Sequence, residues 1–194
     1  MAKTAKFDRQ DVVHKAMALY WEKGFHATSM RNLQDVIDMR PGSIYAAFGS
    51  KDELFKEALR HYKQNGLARL AQCREESESP IAALKLFMRQ LILDTLSGSP
   101  SSLCMLAKTV AELTDENKEL LDEARKSVIE MEKAIEKLII EAQEIGEVDA
   151  QKSTAQLARH VQIQITGLRT YAKTHNGQAP LDEMIEDVFN HYPF

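Results

Sequence analysis

Arg40, Pro41, Gly42, Ser43 and Tyr45 lie within six residues and combine a long cation, a lean backbone and two hydroxyls. That set suits a backbone brought close to a polyanion that carries hydrogen-bonding edges. An arginine can pair bidentately with a guanine, worth about 1–3 kcal/mol of base discrimination, or it can hold a phosphate. The residue types leave both roles open for Arg40. Thr28, Ser29 and Arg31 precede this set and Lys51 follows it. All four fall near expected helix starts, where free amides and a positive side chain favour anions together. The alternative for each is an ordinary solvated surface residue.

The elements that must position these side chains can be read from residues 28–54. Met30, Leu33 and Ile37 are spaced three and four apart and share one helical face. Met39 falls in the break that follows. Pro41 can open a second helix, because the amide it lacks would be unpaired there anyway. Over Pro41 to Phe48, Ile44, Ala47 and Phe48 form one face, and Ser43, Tyr45 and Ala46 form the other. Ser50 and Glu53 fit a reciprocal capping box at the start of a third helix. Helix, short turn and short helix with a small polar outer face is the geometry that seats a helix in the DNA major groove.

Thr28, Leu33, Pro41-Gly42-Ser43-Ile44-Tyr45, Phe48, Lys51 and Leu54 resemble the N-terminal signature of the TetR/AcrR family of bacterial transcriptional regulators. The chain departs from that signature at Leu33-Gln34, Asp38-Met39-Arg40 and Ala46-Ala47, and it lacks the serine that usually precedes the proline. The resemblance implies an all-α fold with an N-terminal three-helix DNA-binding domain and a larger helical domain for effector binding and dimerisation. It implies a homodimer on a palindromic operator of double-stranded DNA, and it places Tyr45 where the family's tyrosine reaches the DNA backbone. Packing against the first helix is the other role for Tyr45.

Charge is distributed in keeping with this. Residues 1–65 hold 11 Lys/Arg against 8 Asp/Glu, a net of +3; the remainder holds 14 against 21, a net of −7. The acidic part would be repelled by phosphate and should point away from it. Lys3 and Lys6 could form a basic arm ahead of the first helix. The opening MAKTAKFDRQ has no apolar segment, so a cytoplasmic location is expected, and no apolar run reaches the roughly 18–20 residues that span a bilayer. Cys73 and Cys104 show no metal-ligand or disulfide spacing. The six histidines are unpaired in spacing, and neither a phosphate-cradling glycine loop nor a nucleophile elbow occurs, so no metal, cofactor or enzymatic activity is expected.

Beyond the motif, periodicity predicts about nine helices in all. They cover roughly 8–23, 51–73, 80–96, 103–113, a long one capped by Thr114 or Asp115 and ended by Gly146, 150–173 capped by Asp149, and a last one opened by Pro180. The DNA-binding domain is expected over 1–50 and the effector and dimerisation domain over 51–194, with the helix 51–73 linking them. The last two long helices carry more apolar positions than one face needs. On 150–173, residues including Leu157, Val161, Ile163, Ile165, Leu168 and Tyr171 cover well over half the girth, which predicts a partner subunit as cover, with a deeply buried central helix as the alternative. An effector pocket among residues 80–173 would draw on Phe87, Met88, Leu91, Met105, Met131 and Tyr171, with His160, Gln162 and Gln164 as polar groups. For the apolar ones plain core is the competing role. Cys104 opens the short helix after the Ser/Gly loop, where exposed amides favour a reactive sulfur. The stretch Leu103-Cys104-Met105-Leu106 resembles one found in a single branch of the family, some of whose members sense electrophiles or oxidants; a structural cysteine is the other role. The second reading of the whole is a helical dimer that acts through protein–protein contacts without an effector.

Overall fold

The structure is a computed structural model that describes residues 7–176, 178–191 and 193–194; Lys3 and Lys6 lie outside the described residues. Among the described residues there are nine α-helices and no strand. They are α1 (Arg9–Lys23), α2 (Met30–Ile37), α3 (Pro41–Phe48), α4 (Lys51–Glu76), α5 (Pro80–Leu96), α6 (Met105–Glu112), α7 (Lys118–Glu144), α8 (Thr154–Thr174) and α9 (Leu181–Asn190), with one 3-10 turn at Asp115–Asn117.

Helix starts follow side-chain chemistry. Asp8, Ser50, Ser79 and Ser153 each accept backbone amides of the first turn of α1, α4, α5 and α8, which satisfies donors that have no partner inside the helix. Three expectations change, one of them at α7, whose N-cap is Asn117 without a side-chain bond and neither Thr114 nor Asp115. The reciprocal half of the capping box at α4 is missing, because Glu53 pairs with Lys56 at 2.5 Å instead of reaching back to Ser50. The full box occurs at α2, where Ser29 and Asn32 satisfy each other's backbone amides. Asp149 does not cap α8; its carboxylate accepts the Gln151 amide in a turn, and the helix begins at Thr154, four residues after the expected start at 150.

Two apolar cores form. The first joins Val12, Ala16 and Tyr20 of α1, Leu33 and Ile37 of α2, Ile44 and Phe48 of α3 and Leu54, Phe55, Ala58 and Leu59 of α4 with Met105 and Leu106 of α6 and Leu120, Leu121 and Ala124 of α7. The second joins Leu70 and Cys73 of α4 with α5, the C-terminal half of α7, α8 and α9. Thus α6 and the opening of α7, both remote in sequence, pack into the N-terminal core. Along the rest of α4 a ladder of ion pairs fixes its register on α7: Lys56–Glu119 (3.1 Å), Arg60–Glu123 (2.7 Å), Lys63–Glu130 and Arg74–Glu141. Residue numbers rise together on both sides, so the two helices run parallel.

The apolar excess on α8 survives folding in part. Ile163 is 67 % exposed and Tyr171 41 %, beside exposed Gly167, Thr170 and Thr174. On α9 there is no such excess, because Ile185, Val188 and Phe189 are buried while Asp182, Glu183, Glu186 and Asp187 face out.

Gly24 and Gly42 differ in what they do for this fold. Gly24 ends α1 at φ 88° and ψ 173°, a region open essentially to glycine alone, and a Cβ there would come within 2.5 Å of the Glu112 carboxylate. A Cβ on Gly42 would meet nothing within 4 Å. Gly24→Ala is therefore expected to lower stability by about 1–3 kcal/mol, whereas Gly42→Ala should leave it unchanged or raise it by less than about 1 kcal/mol. Urea unfolding midpoints of the two variants check this; equal midpoints would remove the distinction.

Candidate nucleic-acid interface and adjoining cavity

The outward face of α3 is set by its two anchors. Ile44 is fully buried and Phe48 nearly so, while Pro41, Gly42, Ser43, Tyr45 and Ala46 are exposed. Arg40 is the N-cap residue of α3 with no side-chain capping bond. Arg40 and Arg31 are exposed and, among the described residues, neither makes an ion pair or side-chain hydrogen bond. The other end of α3 is held from α1: Arg9 donates to the Ala47 carbonyl at 2.8 Å, lies over the Phe48 ring and pairs with Glu57. Arg9 was not singled out by the sequence, since its partners lie 38 and 48 residues away.

Three expected anion contacts look different in the structure. The Thr28 side chain is fully buried and its hydroxyl donates to the Gly24 carbonyl at 2.6 Å, so it holds the turn and offers no hydroxyl to solvent. Ser29 is exposed, but its hydroxyl serves the α2 capping box. The Lys51 ammonium turns inward, donates to the Phe25 carbonyl at 2.7 Å and sits 4.1 Å from the Phe25 ring centre. Burial pulls its pKa down, against the nearby Asp52 and Glu112 carboxylates that pull it up. Lys51 thus ties the start of α4 to the corner between α1 and α2.

That corner is gripped a second time, from α6. Glu112 accepts the Phe25 amide at 3.1 Å and the His26 amide at 2.8 Å. Lys108 donates to the Trp21 and Glu22 carbonyls at 3.1 and 2.7 Å, a cation on the free carbonyls that end α1. Just before α6, the Leu103 carbonyl accepts the Trp21 indole at 2.6 Å.

A cavity of about 420 Å³ adjoins this grip. Its wall includes Trp21 of α1, Tyr62 of α4, Phe87 and Leu91 of α5, Cys104 at the start of α6, Met131 of α7 and Gln162, Ile165, Thr166 and Arg169 of α8. Of the expected pocket residues, Phe87, Leu91, Cys104, Met131 and Gln162 line it; Met88, Met105, His160, Gln164 and Tyr171 do not. Met88 and Met105 are buried in the two cores. On α8 the reason is angular. At 100° per residue, 162, 165, 166 and 169 share one face, and 160, 164 and 171 fall roughly 160–200° from Gln162 on the opposite side. Tyr171 is exposed and stacks on His175, with ring centres 3.9 Å apart. The wall also draws on α1 and α4, outside the expected span of 80–173. Arg169, missed by the sequence reading, is buried there at 2 % exposure. The signal that could have found it is a cation on the buried face of an otherwise apolar helix.

Comparison with known proteins agrees with this arrangement. Residues 12–58 match the family described as "Bacterial regulatory proteins, tetR family", and residues 81–188 match "Tetracyclin repressor-like, C-terminal domain". The chain is 24% identical over 168 residues to the HTH-type transcriptional repressor ComR of Escherichia coli (strain K12), covering 86% of this chain and 80% of that protein. It is 23% identical over 182 residues to the HTH-type transcriptional repressor DhaR of Mycobacterium sp. (strain GP1), covering 93% and 90%. Among solved structures, a cysteine mutant of the TetR family transcriptional regulator CifR, complexed with 26-bp double-strand operator DNA, superposes with a TM-score of 0.83 at 25% identity, covering 98% of this chain and 100% of that one.

If Glu112 holds the corner as described, the Phe25 and His26 amides exchange slowly with solvent. In Glu112→Ala both should exchange at least roughly tenfold faster, the effect of losing about 1.4 kcal/mol of hydrogen-bond protection. Hydrogen exchange at unchanged rates would mean that the contact does not persist in solution.

Proposed function

The chain belongs to the TetR family of bacterial transcriptional regulators, and on that premise we propose that it represses transcription as a homodimer released from a palindromic operator by a small molecule in the cavity. The observation that carries the DNA side is the outer face of α3, with Gly42, Ser43 and Tyr45 exposed and the Arg40 guanidinium without a partner among the described residues. Nothing in the fold requires the lean backbone at Gly42, whereas close approach to base edges does.

Roles divide accordingly. Arg40, Pro41, Gly42 and Ser43 read bases; Arg31 and Tyr45 hold phosphates and fix register, while Ser29 caps α2. Lys51 and Thr28 act from behind, by holding the corner that aims α3. A single α3 reads only a few base pairs, so two copies related by a two-fold axis are needed to specify a site. The exposed stripe on α8 through Ile163 and Gly167 is the surface we assign to the partner copy. In the effector step, a ligand alters the position of Cys104 and the start of α6, and the Lys108 and Glu112 contacts pass this to the corner at Phe25. The ligand can shift the equilibrium only by its differential affinity for the two arrangements. Cys104 is half-buried on the cavity wall, where an electrophile or oxidant could modify it.

Selection of bound fragments from random DNA is the direct experiment, with recovery of one palindromic sequence as the expected result. Against that fragment, Arg40→Ala and Gly42→Ala should each cost about 1–3 kcal/mol and change base preference. Tyr45→Phe and Arg31→Ala should weaken binding about equally on all sequences, and Arg31→Ala should reduce the salt dependence. If all four behave alike, the division of roles is wrong; if no palindrome is recovered, the repressor reading fails. Sedimentation should give a dimer that Ile163→Asp dissociates. A Cys104→Ser protein that still releases DNA normally on quinone treatment would eliminate covalent sensing.

A further inference from the structure

Arg169 is the one charged side chain among the described residues that is buried, at 2 % exposure. Its Nε donates to the Thr95 hydroxyl at 3.0 Å and its Nη1 to the Tyr62 hydroxyl at 3.5 Å. Its Nη2 has no hydrogen-bond partner among the described residues, and no carboxylate stands within ion-pair distance. The Trp21 ring, 6.0 Å away, offers only its π face. A guanidinium keeps its proton at any physiological pH, and a buried charge without a counter-charge is costly. Tyr62 cannot supply one, since burial, with Cys104 beside it, pushes its phenol above the usual range and keeps the hydroxyl neutral.

The remaining charges on the cavity wall are already committed. Lys63 pairs with Glu130, and Arg69 pairs with Asp94, which is the only carboxylate among the lining residues. The cavity therefore keeps a surplus positive charge at Arg169. Around it stand Phe87, Leu91, Met131 and Ile165, in a volume of about 420 Å³ that admits a compact organic molecule.

We propose that the cavity binds a small organic carboxylate, with its anionic end on the Arg169 guanidinium and an apolar body against Phe87, Leu91 and Met131. This rests on the reading of the cavity as the effector site and sharpens it by naming the charge and polarity of the ligand. Planar carboxylate and guanidinium match in geometry, and charge-assisted hydrogen bonds of this kind are about twice as strong as neutral ones.

The experiment uses the intact protein and its own reporter, because Trp21 is the only tryptophan of the chain and lines the cavity. Phenylacetate, 4-phenylbutyrate and 8-phenyloctanoate are titrated against Trp21 fluorescence beside the corresponding neutral amides. At least one carboxylate should give saturable binding, at least roughly tenfold tighter than its amide. Arg169→Met should reduce that preference to less than about threefold while circular dichroism shows unchanged helicity. Should Arg169→Met not fold, the carboxylate-to-amide ratio of the unaltered protein decides alone. Amides that bind as tightly as carboxylates, or no saturable response to any of the three acids at millimolar concentration, overturn the proposal. The same compounds are then added to the protein on its selected DNA fragment. Release by amides and acids alike keeps the effector reading and overturns the anionic ligand; a carboxylate that binds preferentially without altering DNA affinity keeps the anionic ligand and overturns the effector reading.

Discussion

Everything in this molecule hangs on one helix being shared by two cores. Leu54, Phe55, Ala58 and Leu59 of α4 are sealed in the N-terminal core, and Leu70 and Cys73 of the same helix in the other. At 1.5 Å per residue the 26 residues of α4 span roughly 39 Å, enough to reach from one core to the other. Neither core can rotate about α4 without breaking the ladder of ion pairs to α7. The cavity opens where α4 passes between the cores, and Tyr62, Lys63, Asn65, Gly66 and Arg69 of that helix line it.

A second constraint follows from the first. Because α6 packs into the N-terminal core, the loop and helix around Cys104 serve both as cavity wall and as neighbour of the corner between α1 and α2. The two side chains that α6 extends to that corner have opposite charge and opposite targets: Lys108 on carbonyls that end α1, Glu112 on amides that begin the turn. Gly24 is required between them, since any side chain would displace the Glu112 carboxylate. A displacement of α6 therefore acts on a backbone corner held by directional hydrogen bonds, and such bonds weaken steeply as they leave their preferred geometry.

How much could be read in advance differs by region. The bounds of α3 and α5 followed from Pro41 and Pro80, each a helix opener, and the end of α1 from Gly24. The outer face of α3 was legible because eight residues with two apolar anchors leave little freedom about which side is buried. The start of α8 was misplaced, since Asp149 and Ser153 are both acceptable caps by residue type and only the chain's path chose Ser153. Thr28 and Lys51 read as surface donors by type, yet their polar atoms found backbone carbonyls at Gly24 and Phe25. In the cavity, spacing alone could not say which face of α8 looks inward, and Gln162 rather than Gln164 proved to be on it.

By itself the order of residues determined the local grammar: which segments are helical, where most of them begin, and that Pro41 to Phe48 turns Ile44 and Phe48 in and Ser43 and Tyr45 out. These outcomes depend on caps and on a 3.6-residue period, which act within a few neighbours. Tertiary structure alone decided the rest: that α6 grips the α1–α2 corner through Glu112, and that Arg9 braces α3 from nearly forty residues away. It also left Arg169 buried with no carboxylate among the described residues to meet it. Those contacts join residues whose separation along the chain carries no periodic signal, and they exist only once two cores have fixed where each helix stands.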